Sequence, residues 1–467
     1  MTANLKIIDE VSGLNRATAS RKDPGGGRLK IAVVGSGISG LSAAWLLSGR
    51  HDVTLYEQAG RLGGHSHTVR VPRPGGTDIA VDMGFIVFNR VTYPNLTALF
   101  AHLGVSTEAS DMSFAASLDG GGFEYSGNDL AGLFAQKRNI LRPRFWSMLW
   151  GIRKFYRNAV RHAESGNEHL TLGEVLASGG YGPAFRDDHL LPMASAIWSS
   201  TPADMLSFPA LSFIRFHANH GLLQIVDRPT WETVTGGSVS YVQRMAAVLK
   251  DRIRLDAGAI SVQRLADGVR IADAKGQAET FDHIVLATHA NQALALLEDP
   301  TPAEKTLLGA FRYQRNFAVL HSDPSFMPKR RAAWASWNYI GGERARPGCF
   351  TYCMNRLQNI PAEVPLFVTL NAPRDPAPDL VHHQEVYQHP VFNTAALSAQ
   401  SRLWQLQGVR RTWYCGAYFG AGFHEDGLQA GLAVAEELGG VRRPWTVPNE
   451  SGRIVLAPAR NVSEPAA

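Results

Sequence analysis

The chain has 467 residues, 45% of them hydrophobic and 19% charged, with a formal net charge of +5. That length and apolar content predict a large globular protein of two domains, and 45 glycines favour a turn-rich α/β fold over a helical bundle. Its three cysteines, Cys349, Cys353 and Cys415, have no paired or metal-like spacing, which argues against a disulfide framework and for a reducing compartment.

Residues 1–28 are polar and close on Pro24-Gly25-Gly26-Gly27, so they read as a flexible extension without the apolar core of a signal peptide. No stretch approaches the roughly 18 uninterrupted apolar residues of a spanning helix. Both features predict a cytoplasmic protein. Residues 29–34 then read as a buried strand, Gly35-Ser36-Gly37-Ile38-Ser39-Gly40 as a glycine turn opening a helix near Ile38, and Asp52–Tyr56 as a second strand ending on Glu57. Gly35 permits the tight turn and Gly37 lets backbone amides approach a pyrophosphate. Gly40 lets the helix pack closely on the sheet, and the helix N-terminus at Ile38 and Ser39 attracts negative charge. Glu57 stands where an acid accepts hydrogen bonds from ribose hydroxyls. In that order, these pieces predict a Rossmann-type dinucleotide site. The run continues through Gln58, Arg61, Gly63, Gly64 and His65, a basic residue and a glycine pair that a nicotinamide domain does not need.

Between Leu130 and Ala163 there is no acid, yet Lys137, Arg138, Arg142, Arg144, Arg153, Lys154, Arg157 and Arg161 are all present. Residues 142–162 read as a helix with Phe145, Met148, Leu149, Ile152, Phe155, Tyr156 and Val160 on one arc. Arg153, Lys154, Arg157 and Arg161 fall on a neighbouring arc with Trp146 and Trp150. This is the pattern of an interfacial helix at 142–161 against an anionic membrane surface, and equally of an amphipathic helix packed on a core. Nucleic acid is not expected as a partner, because no binding module accompanies the patch. Further along, 240–250 reads as helical, and 252–255, 268–271 and Phe367–Leu370 read as strands, the first two hairpin-like. After about Val441 the chain reads as a loose tail.

Four further segments complete the pattern: Val81-Asp82-Met83-Gly84-Phe85, Thr235-Gly236-Gly237-Ser238, Asp282 through Ala287-Thr288-His289, and Trp413 through Gly416 to His424-Glu425-Asp426-Gly427-Leu428. With the glycine turn and the 57–65 run they resemble the flavin-containing amine oxidase and carotenoid desaturase superfamily over about residues 29–440. The nearer resemblance is to a bacterial subgroup of FAD-binding oxidoreductases similar to enzymes that modify unsaturated fatty acyl chains. The resemblance implies an α/β, two-domain, amine oxidase-like fold that binds FAD. It assigns 29–95, 228–295 and 405–440 to the FAD domain, and 96–227 and 296–404 to a discontinuous α+β substrate domain. It also implies flavin-end contacts from Gly84, Phe85, Ala287, Thr288, Gly416, Asp426, Gly427 and Leu428, and an adenine contact near Ile260.

His424 matches the position where amine oxidases place one tyrosine of an aromatic cage. With Glu425 behind it, a histidine there reads as a candidate base on an activated C–H, its ordinary pKa lying near neutrality. His217, His220 and His289 are weaker candidates. The aromatic segments 213–220 and 334–339 are able to line an apolar tunnel or to be ordinary core. No lysine stands near Asn316-Phe317, where many amine oxidases keep one, which puts amine oxidation in doubt. The resemblance, together with the interfacial pattern at 142–161, implies desaturation or isomerisation of an unsaturated or methyl-branched fatty acyl chain, carried on membrane phospholipid, with oxidation of a small amine as the alternative. The sixteen histidines show no metal-like spacing, and no metal is expected.

Overall fold

A computed structural model describes residues 27–73, 75–164, 170–198, 201–219, 223, 229–341 and 348–456. The predicted extension therefore lies outside the described residues except for Gly27 and Arg28, and Arg28 pairs with Asp52 on the second strand.

The first strand, Lys30–Val34, is buried along all but its first residue. Such a continuous apolar run suits a parallel strand covered on both faces. It pairs in parallel with Asp52–Tyr56 on one side and His283–Leu286 on the other. Ile253–Arg254 and Thr412–Tyr414 close the edges of this five-stranded parallel sheet. The helix Ile38–Leu47 follows the glycine turn and is crossed by the C-terminal helix His424–Gly439. The crossing is close: a Cβ on Gly427 would lie 2.8 Å from Ser39 Oγ.

A second unit is built on a seven-stranded mixed sheet. Its order is Val381–Val391, Arg312–His321, Phe367–Leu370, Cys349–Cys353, Trp337–Ile340, Phe114–Leu118 and Phe123–Ser126. All its pairings are antiparallel except that of Trp337–Ile340 with Phe114–Leu118. Every one of these strands falls within 96–227 or 296–404, the segments assigned to substrate. Helices Pro143–Glu164, Leu191–Trp198 and Ala210–Asn219 belong to the same part of the chain.

Two expectations need correction, and the structure gives a partner to the apolar arc that the pattern left open. The segment at 252–255 forms no hairpin with 268–271; Ile253–Arg254 joins the parallel sheet, and Val269–Asp273 pairs with Ala259–Arg264. The Glu57 amide donates to the Arg254 carbonyl, which draws that short strand to the sheet edge. The tail beyond Val441 is not loose through Leu456. Arg443 is buried on Glu436 and Asn95, Trp445 stacks on Trp45, and Ile454 enters the core. Lastly, the apolar arc of Pro143–Glu164 is not free for a bilayer. Phe145, Met148 and Phe155 are fully buried, and Leu149, Ile152 and Tyr156 pack against the same cores. Val160 lies outside the described side chains.

Candidate functional site

Gly35 leaves the first strand with φ near +100°, a conformation that L side chains rarely adopt, and the turn carries the chain into the helix at Ile38. Glu57, at the end of the neighbouring strand, accepts hydrogen bonds from Ser36 N at 2.9 Å, Ser36 Oγ at 2.5 Å and Ala59 N at 2.9 Å. The carboxylate is thereby fixed at the mouth of the turn. One cavity of about 820 Å3 runs from here to the start of the C-terminal helix at His424.

The cavity brings together Gly35, Gly37, Ile38, Ser39, Glu57, Gln58, Arg61, Gly63, Gly64, His65, Gly84, Phe85, Ala287, Thr288, Gly416 and His424. The remaining candidates stand elsewhere. Gly40 sits beneath the turn, where a Cβ would overlap the Gly35 carbonyl and come within 3.0 Å of Ala287 Cβ, so its work is close packing. Ile260 points to solvent, and Gly258 and Ala259 form the wall in its place. Gly427 and Leu428 serve the helix crossing and the core.

Glu425 is fully buried and turned away from the cavity. It accepts from Asn95 N, Asn95 Nδ2 and Leu96 N at 2.9–3.0 Å, capping the helix Pro94–Leu103. This corrects the catalytic expectation for that residue. Asp426 accepts from Phe423 N at 2.8 Å and pairs with Arg453, so its carboxylate is occupied by a cap and an ion pair.

His424 lies flat on Phe85, with ring centroids 3.9 Å apart, and its Nε2 is 2.6 Å from the Tyr241 hydroxyl. Tyr241 in turn contacts Ser66. Burial lowers the imidazole to about 3, so it is neutral at neutral pH and far less basic than the free side chain. The expectation of a pKa near neutrality fails because the water that would stabilise the cation is gone.

Sequence reading missed a second cluster. His65 lies 5.0 Å from Tyr387, 5.3 Å from His389 and 6.4 Å from His289, and His289 stacks on Tyr313 at 4.3 Å, all centroid distances. Burial holds His65 well below its ordinary pKa, and His289 and His389 at about 4. His65 Nε2 and His289 Nδ1 have no hydrogen-bond partner among the described residues. Asn316, where the lysine is missing, reaches His389 Nδ1 at 3.0 Å. The only sequence signal for this cluster was the alternation of Glu385, Tyr387 and His389 along one strand face.

His67, His383 and Glu385 also converge, with ligand-type atoms within 4.8 Å of one another. Their setting is already polar and charged: Arg61 lies 3.6 Å from the Glu385 carboxylate, and His67 Nδ1 lies 3.0 Å from Tyr387 OH. Among the weaker histidines, His217 is buried with Nδ1 on the Phe213 carbonyl. His220 lies outside the described residues.

A parallel sheet, a glycine turn at a helix N-terminus and a ribose-type acid define a dinucleotide-binding protein, and the continuous cavity extends that site to a second end. The residues fit FAD: a Cβ at Gly37 would meet nothing within 4 Å and would occupy the cradle, and His65 lines the same cavity with one buried ring nitrogen left without a partner among the described residues. The profile of the Flavin containing amine oxidoreductase family matches residues 38–324. The chain belongs to that family, and its cofactor is FAD. A Mycobacterium tuberculosis protein provisionally named flavin-containing monoamine oxidase AofH is 28% identical over 282 residues, 59% of this chain and 60% of that relative. The chain thus matches less than two thirds of that relative's length. Two solved structures share the fold: cyclohexylamine oxidase from Brevibacterium oxydans, with 17% identity and a TM-score of 0.64, and a CLA-producing fatty acid isomerase from P. acnes, with 16% identity and a TM-score of 0.60. Each covers 88% of this chain, which spans 99% and 98% of theirs.

Replacing Glu57 with Gln removes a charged acceptor of three hydrogen bonds at the turn. Loss of charge-assisted bonds, worth about 1.5–3 kcal/mol, is expected to weaken FAD retention about tenfold or more. Titration of the apoprotein with FAD, followed by flavin fluorescence, measures it.

Proposed function

We propose that the chain is an FAD-dependent oxidoreductase that desaturates or isomerises an unsaturated or methyl-branched fatty acyl chain. The observation that carries this reading is the chemistry of the cavity wall. Beyond the glycine turn it is lined by Met112, Ile197, Phe216, Trp231, Trp337 and Leu370. Glu57 and Glu385 are the acids among its described lining residues, and both are engaged, by Ser36 with Ala59 and by Arg61. An ammonium group would find no free carboxylate there, whereas an acyl chain needs none.

When bound, the flavin accepts a hydride and is able to return it, which serves either dehydrogenation or double-bond migration. The chain's own residues would bind and orient the substrate. Phe85 and His424 form a flat wall, and Tyr241 fixes the imidazole through Nε2. Neutral His424 is in the protonation state that accepts a proton, but with low basicity, so it suits only a C–H acidified by a neighbouring double bond. A second reading, oxidation of a small amine, is favoured by relatives named for amine substrates.

The test incubates the purified protein, under air, with total bacterial lipid extract and separately with small primary amines. Fatty acid profiles are compared by mass and chromatographic retention, and amine turnover by release of ammonia. New acyl species that disappear with His424→Ala, while that variant keeps its flavin, support the reading. Ammonia release with unchanged acyl profiles would replace it by the amine reading.

A further inference from the structure

The face of Pro143–Glu164 opposite the core carries an unusual surface. Trp150 is 67% exposed and Trp146 49%, and beside them on the preceding turn Leu141 is 85% and Ile140 48% exposed. Leu130, 74% exposed, begins the short helix just before that turn. Trp146 is held in its exposed position, because its Nε1 donates to the Ile140 carbonyl at 2.8 Å. At about 100° per residue, Trp146, Trp150, Arg153, Lys154, Arg157 and Arg161 share one side of the helix. The apolar residues crowd its first two turns and the cations follow.

Cations outnumber acids in this region, although Asp119 and Asp187 stand near Arg144 and Asp187 pairs with Arg186. Arg144 is neutralised by Asp188, with two contacts at 2.6 and 2.8 Å. Arg138 and Arg142 donate to the Gly122 carbonyl, and Lys154 to that of Gly179, neutral acceptors that leave the positive charge intact. Asp129, at the border, is used up capping the short helix through Gly132 N.

We propose that this face docks the protein peripherally on an anionic bilayer. Leu130, Ile140 and Leu141 enter the acyl boundary, Trp146 and Trp150 sit at headgroup depth, and Arg153, Arg157 and Arg161 meet lipid phosphates. Among the described residues no helix is long and apolar enough to cross a membrane. The helical layer links this face to the cavity. Phe155, on the inner side of the same helix, packs against Phe213, and Phe216 on that next helix lines the cavity and stacks on Phe423 beside His424. Docking does not depend on the acyl reading, and its readout needs no turnover.

The experiment uses the flavin-loaded protein and vesicles of phosphatidylcholine with or without phosphatidylglycerol, at low and high salt. Cosedimentation is expected only with the anionic vesicles, weakening as salt rises, with a blue shift of tryptophan emission. The triple change Arg153→Glu, Arg157→Glu, Arg161→Glu is expected to reduce partitioning about tenfold or more. Leu141→Glu, at a largely exposed position, should abolish the blue shift while leaving flavin content and thermal unfolding unchanged. Absence of binding at low salt overturns the proposal, as does equal binding to neutral vesicles. If Leu141→Glu instead converts a dimer to a monomer and vesicles never bind, the face belongs to a second copy of the chain. Vesicle binding without any acyl conversion would leave the docking intact and remove only the fatty acyl function.

Discussion

Gly40→Ala is expected to give a colourless, poorly folded protein, whereas Gly37→Ala should fold normally and hold its flavin weakly. The two glycines stand three residues apart, but the space around them differs completely. A methyl group on Gly40 would overlap the Gly35 carbonyl and press on Ala287 Cβ at 3.0 Å. The helix Ile38–Leu47 would have to lift from a sheet whose central strand is already buried on both faces. Overpacking of a rigid backbone contact costs about 1–3 kcal/mol when the neighbours are able to shift, and more when they are backbone. Because Gly35 shapes the turn, that shift also distorts the cradle. A methyl group on Gly37 meets nothing within 4 Å and projects into open cavity. Its cost falls on the bound pyrophosphate, so thermal unfolding of the apoprotein should match the parent while the flavin-to-protein ratio drops. Equal flavin content in both variants would mean that the cavity is not the cofactor site.

The same contrast explains what could be read in the sequence. The glycine turn, the acid at position 57 and the parallel strands are local patterns: a few residues in order dictate a turn, a helix and a strand. They were legible for that reason. Glu425 was misread because sequence position placed it beside His424, while helical geometry turns adjacent side chains about 100° apart and sends Glu425 to the capping site at Asn95. The imidazole cluster of His65, His289 and His389 was not legible, because a turn, a helix cap and a strand far apart in the chain assemble it. The low basicity of His424 was likewise hidden, since burial comes from neighbours that no spacing rule names. Trp146 and Trp150 were read as boundary residues, and they are exposed; the apolar arc beside them was assigned two partners by the same pattern, and the core took it.

Glu304→Ala should produce the largest loss of stability at a position with no contact to the cavity. Arg264 is fully buried through its side chain, and its Nη1 lies 2.6 Å from Glu304 Oε1. The same carboxylate accepts from Tyr414 Oη at 2.6 Å and from Thr301 N at 2.7 Å. Removing it leaves a buried guanidinium with Asp299 as its remaining charged partner, and Asp299 is shared with Arg410. Breaking one side of a buried pair costs about 3–5 kcal/mol. Burial opposes the charge on Glu304, but the bonds from Arg264 and Tyr414 outweigh it and hold the carboxyl below its ordinary pKa. The sign follows: the contribution is complete above the unfolded carboxyl pKa and is lost as the pH falls through the lower, folded value. Denaturant unfolding of the parent should therefore show stability declining at acid pH, and Glu304→Ala should flatten that decline while starting from a lower plateau. Tyr414 ends the edge strand Thr412–Tyr414, two residues before Gly416 in the cavity wall, so flavin should dissociate from Glu304→Ala faster than from Glu304→Gln, which keeps an acceptor for Tyr414. A variant as stable as the parent across this range would mean that the strand is held in place by packing alone.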